Sequence, residues 1–357
     1  MRSDQLDYVL PPELIATRPA EPRDAARLLV ARRETGEVQH HRVRDLPGLG
    51  ILHEHDLLVV NQTRVLPAAF RGVRVATGGR VKGLYLRSDE AGRWQVMLET
   101  RGKLGEGERI ALDERASLVL EESLGRGKWL ARGEAGEPAE RVLMRLGEAP
   151  LPPYIRKARR HEHRPEVEAS DRERYNTVFA REAGSVAAPT AGLHFTPELL
   201  ATLERQGVRR ASVTLHVGTG TFMPVRTENL EEHRMHAEWL HVPGETVEAI
   251  QRTREAGGRI MPVGTTSVRA LESLPEPLEI AAGGFTTETR LFIRPNSGFE
   301  FRFTDMLLTN FHLPRSTLLA LVSALPGVGL DRLKRWYGEA IEQGYRFYSY
   351  GDAMLVC

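Results

Sequence analysis

Four histidines share one kind of setting. His194, His216, His236 and His312 each fall in a predicted loop or at a predicted strand end, beside Gly, Thr or Asn. Imidazole exchanges protons near neutral pH, so four such residues point to acid–base work at a shared site. One such histidine alone is more often structural. A catalytic metal needs about three protein ligands and an open position. The chain has no His-Glu-x-x-His and no paired aspartates, and His233-x-x-His236 is a weak pair. Metal-free work by histidine and carboxylate therefore ranks ahead of a metal hydrolase, and no metal is expected. Ser185 and Ser267 are possible nucleophiles, yet neither lies in a Gly-x-Ser-x-Gly elbow. There is no Walker-type loop, and Gly218-Thr219-Gly220 lacks the third glycine of a dinucleotide site.

His194 lies in the stretch on which the rest is organised, GSVAAPTAGLHFTPELL from Gly184 to Leu200. No side chain between Gly184 and Pro197 carries a full charge, although 27% of the chain is Asp, Glu, Lys or Arg. Its small residues allow close approach of a ligand or of another backbone. A helix should follow, with Thr196 as N-cap, Pro197 in the first turn, Leu199, Leu200 and Leu203 as the apolar stripe, and Gly207 as the stop.

The other polar clusters also sit where an apolar run ends. Asn61-Gln62-Thr63-Arg64 follows the buried-strand pattern of Asp56–Val60. His216 and Gly218 end the alternating run Ala211–Val217. Gly264-Thr265-Thr266-Ser267-Val268-Arg269 turns a strand over 258–263 into a helix that Thr265, Thr266 or Ser267 should cap. Asn310, His312 and Arg315 lie between the apolar run at Leu307 and a helix started by Ser316 or Thr317. Polar strand ends commonly line sites in α/β sheets. For Asn61 alone, a turn bonding its own backbone is the plainer reading. Further strands are expected over 27–31, 40–44 and 291–294, a short helical run within 6–16, and a last helix over 331–343.

From about Pro67 to Pro150 the texture changes to short strand-like runs between recurring glycines. That pattern marks a small antiparallel barrel or sandwich. The division expected is a discontinuous α/β domain, 1–66 plus 150–357, with an inserted β domain, 67–149. Next comes the most basic stretch. Arg156, Lys157, Arg159, Arg160 and Arg164 fall within nine residues, with Glu162 the one acid. It reads as a phosphate-neutralising run or as a solvated surface loop.

The chain has 357 residues, 41% of them apolar, and 49 Lys plus Arg against 48 Asp plus Glu. That balance excludes a wholesale basic protein; a nucleic-acid partner would need a local patch. No apolar stretch nears the roughly 20 residues of a membrane helix, and no signal-peptide core is seen. The single cysteine, Cys357, excludes an internal disulfide and a cysteine zinc site. A cytoplasmic enzyme or binding protein is the simplest class.

Taken together, NQTRVLPAAFRG (61–72), LPPYIRK (151–157), DRERYNTVFA (171–180), GSVAAPTAGLHFT (184–196), VTLHVGTGTFMPV (213–225), HRMHAEW (233–239), VGTTSVRALE (263–272), LLTNFHLPRSTLLALVSA (307–324) and YRFYSYGDAML (345–355) resemble the S-adenosylmethionine:tRNA ribosyltransferase-isomerase family of queuosine biosynthesis. The resemblance implies an α/β domain interrupted by a small β-barrel. It implies transfer and isomerisation of the ribosyl unit of S-adenosylmethionine onto the 7-aminomethyl-7-deazaguanine of a tRNA with a GUN anticodon. Adenine and methionine leave, and epoxyqueuosine-tRNA results. S-adenosylmethionine is then a consumed substrate and no cofactor is needed; a monomer is expected. The catalytic candidates become His194 (favoured as base), His216, His236, Glu238, His312 and Asp352. The substrate-binding candidates become Asn61, Thr63, Arg64, Thr190, Gly192, Gly218, Gly220, Thr265, Thr266, Ser267, Arg269, Asn310 and Arg315. Arg156, Lys157, Arg159 and Arg160 become the tRNA contacts. The chain departs from the family's usual residues at Gln62, Thr219, Ala237 and Arg290. Backbone roles, not side-chain catalysis, are expected there. A non-catalytic tRNA-binding protein and a metal hydrolase are the alternatives from other classes.

Overall fold

A computed structural model of the chain describes residues 1–134, 136–218, 225, 227–278 and 280–357. The strands are β1 (Arg27–Ala31), β2 (Val38–Arg42), β3 (Leu57–Asn61), β4 (Thr63–Val65), β5 (Ala69–Arg74), β6 (Arg80–Ser88), β7 (Trp94–Thr100), β8 (Arg109–Ala111), β9 (Ser117–Gly125), β10 (Lys128–Gly133), β11 (Glu182–Ser185), β12 (Arg209–Leu215), β13 (Glu238–Val242), β14 (Ile260–Val263), β15 (Phe285–Thr289), β16 (Leu307–Asn310) and β17 (Ala353–Val356). The helices are α1 (Ala139–Leu146), α2 (Pro153–His161), α3 (Asp171–Arg174), α4 (Pro197–Arg205), α5 (Gly244–Glu255), α6 (Thr265–Glu272), α7 (Thr317–Ala324) and α8 (Gly329–Glu342).

The main sheet has the order β15-β13-β12-β3-β14-β16-β17-β1-β2. Its centre, β12-β3-β14-β16, is parallel, and the flanking pairs β12–β13, β13–β15 and β16–β17 are antiparallel. Every residue of β3, Leu-Leu-Val-Val-Asn, is buried. Such a run needs cover on both faces, because successive side chains alternate. Leu58 and Val60 face one layer with Leu199, Leu200 and Leu203 of α4. Leu57 and Val59 face the other with Val247 and Ile250 of α5 and Ala270 and Leu271 of α6. A third layer, around α7 and α8, covers the far side of β17 through Met354 and Val356.

Strands β5 to β10 close into a six-stranded antiparallel barrel, order β10-β7-β6-β5-β8-β9. Its inner face alternates along β7, where Trp94, Val96 and Leu98 are buried. Gly83 is required here: a Cβ on it would stand 2.1 Å from the Phe70 ring. The glycine texture at 67–150 thus marks a barrel rather than a sandwich. The chain is an α/β domain with an antiparallel barrel inserted between β4 and β11.

Local expectations held where the signal was local. Thr196 caps α4 by accepting from the Leu199 amide at 3.2 Å, and Gly207 ends it at φ +80. Ser316 caps α7 in the same way. Four expectations need correction. Residues 291–294 form no strand; the Leu291 carbonyl accepts from the Arg269 Nε instead, and Pro295 follows. The edge strand is β15, just before. The run 6–16 gives only short 3-10 turns, Ser3–Leu6 and Pro12–Leu14, since Pro11 and Pro12 remove amide donors. The basic stretch at 156–161 is no loop but most of α2, with Pro153 in its first turn. Finally, α6 has no side-chain cap: Gly264, at φ +90, takes the N-cap position.

Truncating the centre of this sheet should be costly. Leu58→Ala removes a side chain that is 2% exposed and should lower unfolding free energy by about 2–5 kcal/mol in urea titration. Val9→Ala, at an 89% exposed position, should change it by less than about 0.5 kcal/mol.

Candidate active site at the carboxyl edge of the sheet

Because β12, β3, β14 and β16 run parallel, their carboxyl ends share one edge. Asn61, His216, Gly264 and Asn310 end or directly follow them. The chain leaves β3 for β12 on one side and returns to β14 on the other. Crevices form outside strand ends at such reversals.

A shallow cleft opens there, about 480 Å³ when the solvent at its mouth is counted. Thr190 comes from the 3-10 turn Thr190–His194, Thr265 and Thr266 from the start of α6, and Asn310 and His312 from the end of β16. Tyr154 of α2 and the Tyr348–Ser349 segment complete it. None of the wall residues carries a full charge. The wall is tied together by its own side chains. Thr190 Oγ1 donates to Asn310 Oδ1 at 2.8 Å. Asn310 Nδ2 donates to the Tyr348 carbonyl at 3.2 Å and meets His194 Nε2 at 3.2 Å. Tyr348 adopts φ +72, an unfavourable conformation for a tyrosine, and its ring lies 4.8 Å from that of Tyr154. Tyr154 Oη and Ser349 Oγ share a hydrogen bond of 2.5 Å.

His194 is therefore one hydrogen bond behind the wall, whereas His312 stands in it. His312 Nε2 meets Thr309 Oγ1 at 2.8 Å, and its backbone is held by Tyr337 and Tyr8. Burial pushes both imidazoles down, His194 to about 4 and His312 to about 3, because a charged ring is poorly solvated there. With Asn310 donating to it, His194 Nε2 is the acceptor nitrogen and the proton sits on Nδ1. Thr266 adds a second feature. It is 8% exposed, and its Oγ1 is buried without a hydrogen-bond partner at the uncapped N-terminus of α6. Leaving a buried hydroxyl unpaired costs about 1–3 kcal/mol, so such a group marks a place for an acceptor.

A second cluster lies beside the cleft and is mostly internally satisfied. Asn61 spends its side chain on Leu215 and Thr63, knitting β3 to β12. Thr63 Oγ1 meets His216 Nδ1 at 2.7 Å. Burial also lowers the proton affinity of His216. Glu238 and Arg269 form a buried ion pair, and Glu238 Oε1 accepts from the Gly218 amide at 2.9 Å. Ser267 Oγ bonds the Val263 carbonyl inside α6.

Several candidates lie elsewhere. Asp352 is buried but accepts from the Arg346 amide and guanidinium and from the Arg27 amide, so it fastens the β1–β17 end. Arg315 pairs with Asp7 and pins the N-terminal segment. His236 is exposed on the loop before β13. Gly192 packs behind the wall against Thr177 and Phe179. Arg64 is exposed away from the cleft. Gly220, like Thr219, lies outside the described residues. Arg159 is not a surface cation: it is 0% exposed and bidentate to Asp171 at 2.6 and 2.8 Å. Arg156 and Arg160 both pair with Glu166, at 2.8 and 3.3 Å, while Lys157 and Arg160 are exposed on α2. Tyr154, Tyr348 and Ser349 were not singled out from the sequence. Nothing local announces them; Tyr154 sits in a stretch whose signal is its arginines. No group of three or more His, Cys, Asp or Glu among the described residues is placed to hold a metal ion.

A larger hollow, about 1350 Å³, lies between the barrel and α2. It has no histidine in its lining, and Arg71 and Arg156 there are already paired with Glu148 and Glu166. Of the two, only the smaller cleft has a histidine in its wall.

The depressed imidazoles make stability pH-dependent. Between about 6.5 and 4 the unfolded chain binds a proton at His194 that the folded chain refuses. The stability from the neutral ring is complete above pH 6.5 and is lost as pH falls toward 4. The urea midpoint should therefore drop between pH 7.5 and 5, and His194→Gln should shrink that drop.

Comparison with known proteins gives a consistent result. The model of the queuosine biosynthesis protein family matches residues 3–356. An S-adenosylmethionine:tRNA ribosyltransferase-isomerase of Gloeobacter violaceus is 48% identical, covering 99% of this chain and 95% of its own. The protein of that name from Moorella thermoacetica is 44% identical, covering 100% of both. The crystal structure of S-adenosylmethionine tRNA ribosyltransferase from Thermotoga maritima superposes with a TM-score of 0.54 at 35% identity, over 99% of this chain and 100% of that one.

Proposed function

This chain belongs to the S-adenosylmethionine:tRNA ribosyltransferase-isomerase family of queuosine biosynthesis, and on that premise we propose that the uncharged cleft holds S-adenosylmethionine. The reaction carries the ribosyl unit to the 7-aminomethyl group of a 7-deazaguanine in tRNA, rearranges it, and releases adenine and methionine. We read the acceptor as the first base of a GUN anticodon and the enzyme as a monomer.

The observation that carries the assignment is the unpartnered Thr266 hydroxyl at the uncapped start of α6, inside a wall without formal charge. A helix start favours an anion, and its amides with Thr266 Oγ1 suit the methionine carboxylate. The sulfonium fits against Tyr154 and Tyr348, whose ring faces attract a cation without competing for the proton. Arg269 is neutralised by Glu238 but keeps a buried Nη2 without a hydrogen-bond partner, so it stays a candidate donor to the carboxylate beside Thr266.

The sulfonium acidifies the neighbouring 5′ C–H, so the first task is a neutral base. His312 stands in the wall and takes that proton in our reading; burial keeps it neutral but also lowers its proton affinity, so the bound substrate must raise that affinity for it to act. His194 holds Asn310 in its bonding pattern and so acts as a positioning residue. The same dry wall favours the uncharged form of the attacking amine.

Two measurements separate these roles. His312→Gln should cut adenine release about 10²–10⁴-fold and abolish solvent-deuterium exchange at the 5′ carbon. His194→Gln should slow turnover while leaving that exchange detectable. The reverse pattern would make His194 the base. For the tRNA, Lys157 and Arg160 are the exposed cations of α2. Replacing both with alanine should reduce the slope of log affinity against log salt by about 1–2. An unchanged slope moves the tRNA to another face.

A further inference from the structure

The exposed face of the sheet next to the cleft carries a run of stacked rings. Trp239 in β13 lies between His216 and His241, with centroids at 4.9 and 6.3 Å and interplanar angles of 19° in both pairs. Trp239 is 39% exposed, although Glu238 and Leu240 on either side are buried. The rings are fixed rather than resting on one another by chance. His216 Nδ1 is bonded to Thr63 Oγ1 at 2.7 Å, and His241 Nδ1 to Thr286 Oγ1 at 2.8 Å. Gly184 keeps β11 close to the His216 ring, where a Cβ would come within 2.6 Å of Nε2. None of these rings is needed to hold the hydrophobic layers, which Leu240 and Val242 already join.

From this geometry we infer that the His216–Trp239–His241 ladder stacks an unpaired base of the substrate tRNA next to the one being modified. The inference rests on the tRNA reading above. Aromatic faces accept any base, and stacking is the usual way proteins hold splayed single-stranded nucleotides. Placement supports it. His216 follows β12 and Trp239 is the second residue of β13, so the ladder lies on the same edge as the cleft. From β13 to β14 is three strand spacings, roughly 14 Å. Arg181 is exposed immediately before β11, one of the two strands that flank the His216 ring. Glu182 and Glu288 at the rim disfavour a phosphate on the rings themselves, which leaves the base as the group that fits.

Trp239 also supplies its own readout. Trp94, Trp129 and Trp336 are 3, 7 and 2% exposed, so Trp239 is the one tryptophan that RNA can reach. An anticodon stem-loop should quench its emission as binding, followed independently by fluorescence anisotropy, saturates. Trp239→Ala should weaken stem-loop and tRNA binding roughly ten-fold or more and raise the KM for tRNA, leaving the KM for S-adenosylmethionine unchanged. Trp239→Phe should keep most of the affinity. Binding without quenching by wild-type protein, or equal affinity in the alanine variant, overturns the inference. So does equal loss in the phenylalanine and alanine variants. If the alanine variant does not fold, the wild-type quenching and the phenylalanine variant still decide. Wild-type protein that releases no adenine from S-adenosylmethionine in the presence of substrate tRNA would instead count against the proposed function, whatever the ladder does.

Discussion

Parallel pairing of β12, β3, β14 and β16 is the constraint on which the site depends. It brings the ends of four strands, scattered from Asn61 to Asn310, to one edge. Asn61 reinforces that edge by bonding both backbone groups of Leu215 with one side chain. The pairing is stable because β3 is apolar on both faces and helices cover both. The groups we propose for the chemistry sit at or just beyond the strand ends that this edge aligns.

The edge is wetted by polar groups yet almost free of charge in its cleft, and that combination follows from how the carboxylates and guanidiniums are paired off. Glu238 takes Arg269, Asp352 takes Arg346, and Asp171 takes Arg159. Each pair is removed from the cleft wall. What remains in the cleft wall is hydroxyl, amide, imidazole and tyrosine ring among apolar residues such as Ala188, Phe311 and Leu318. A sulfonium substrate with its own internal charges needs such a wall. A fixed anion beside the 5′ carbon would stabilise the cation and blunt its acidity. A fixed cation would repel it.

The parts of the molecule written in short-range pattern were legible in the sequence. The all-apolar strand β3, the glycine-punctuated barrel and the capped start of α4 each depend on neighbours within a few residues. So did the polar strand ends, of which the cleft takes in Thr265, Thr266, Asn310 and His312 but not Asn61, His216 or Arg315. The rest depended on partners far away in the chain. His194 meets Asn310 across 116 residues, which is what moves it behind the wall. Arg159 looked like one of several surface cations until Asp171 and the Thr17 carbonyl enclosed it. The left-handed tyrosine at 348 had no signal at all, since nothing in its neighbours demands that conformation. The expected cap of α6 failed because Gly264, which has no side chain, takes the N-cap position at φ +90.

A structure of the protein with S-adenosylmethionine bound tests the central claim most directly. The account predicts the methionine carboxylate within hydrogen-bond distance of Thr266 Oγ1, the sulfonium against Tyr154 and Tyr348, and the 5′ carbon facing His312. The ligand seated instead in the hollow between barrel and α2, or beside His216, would contradict it.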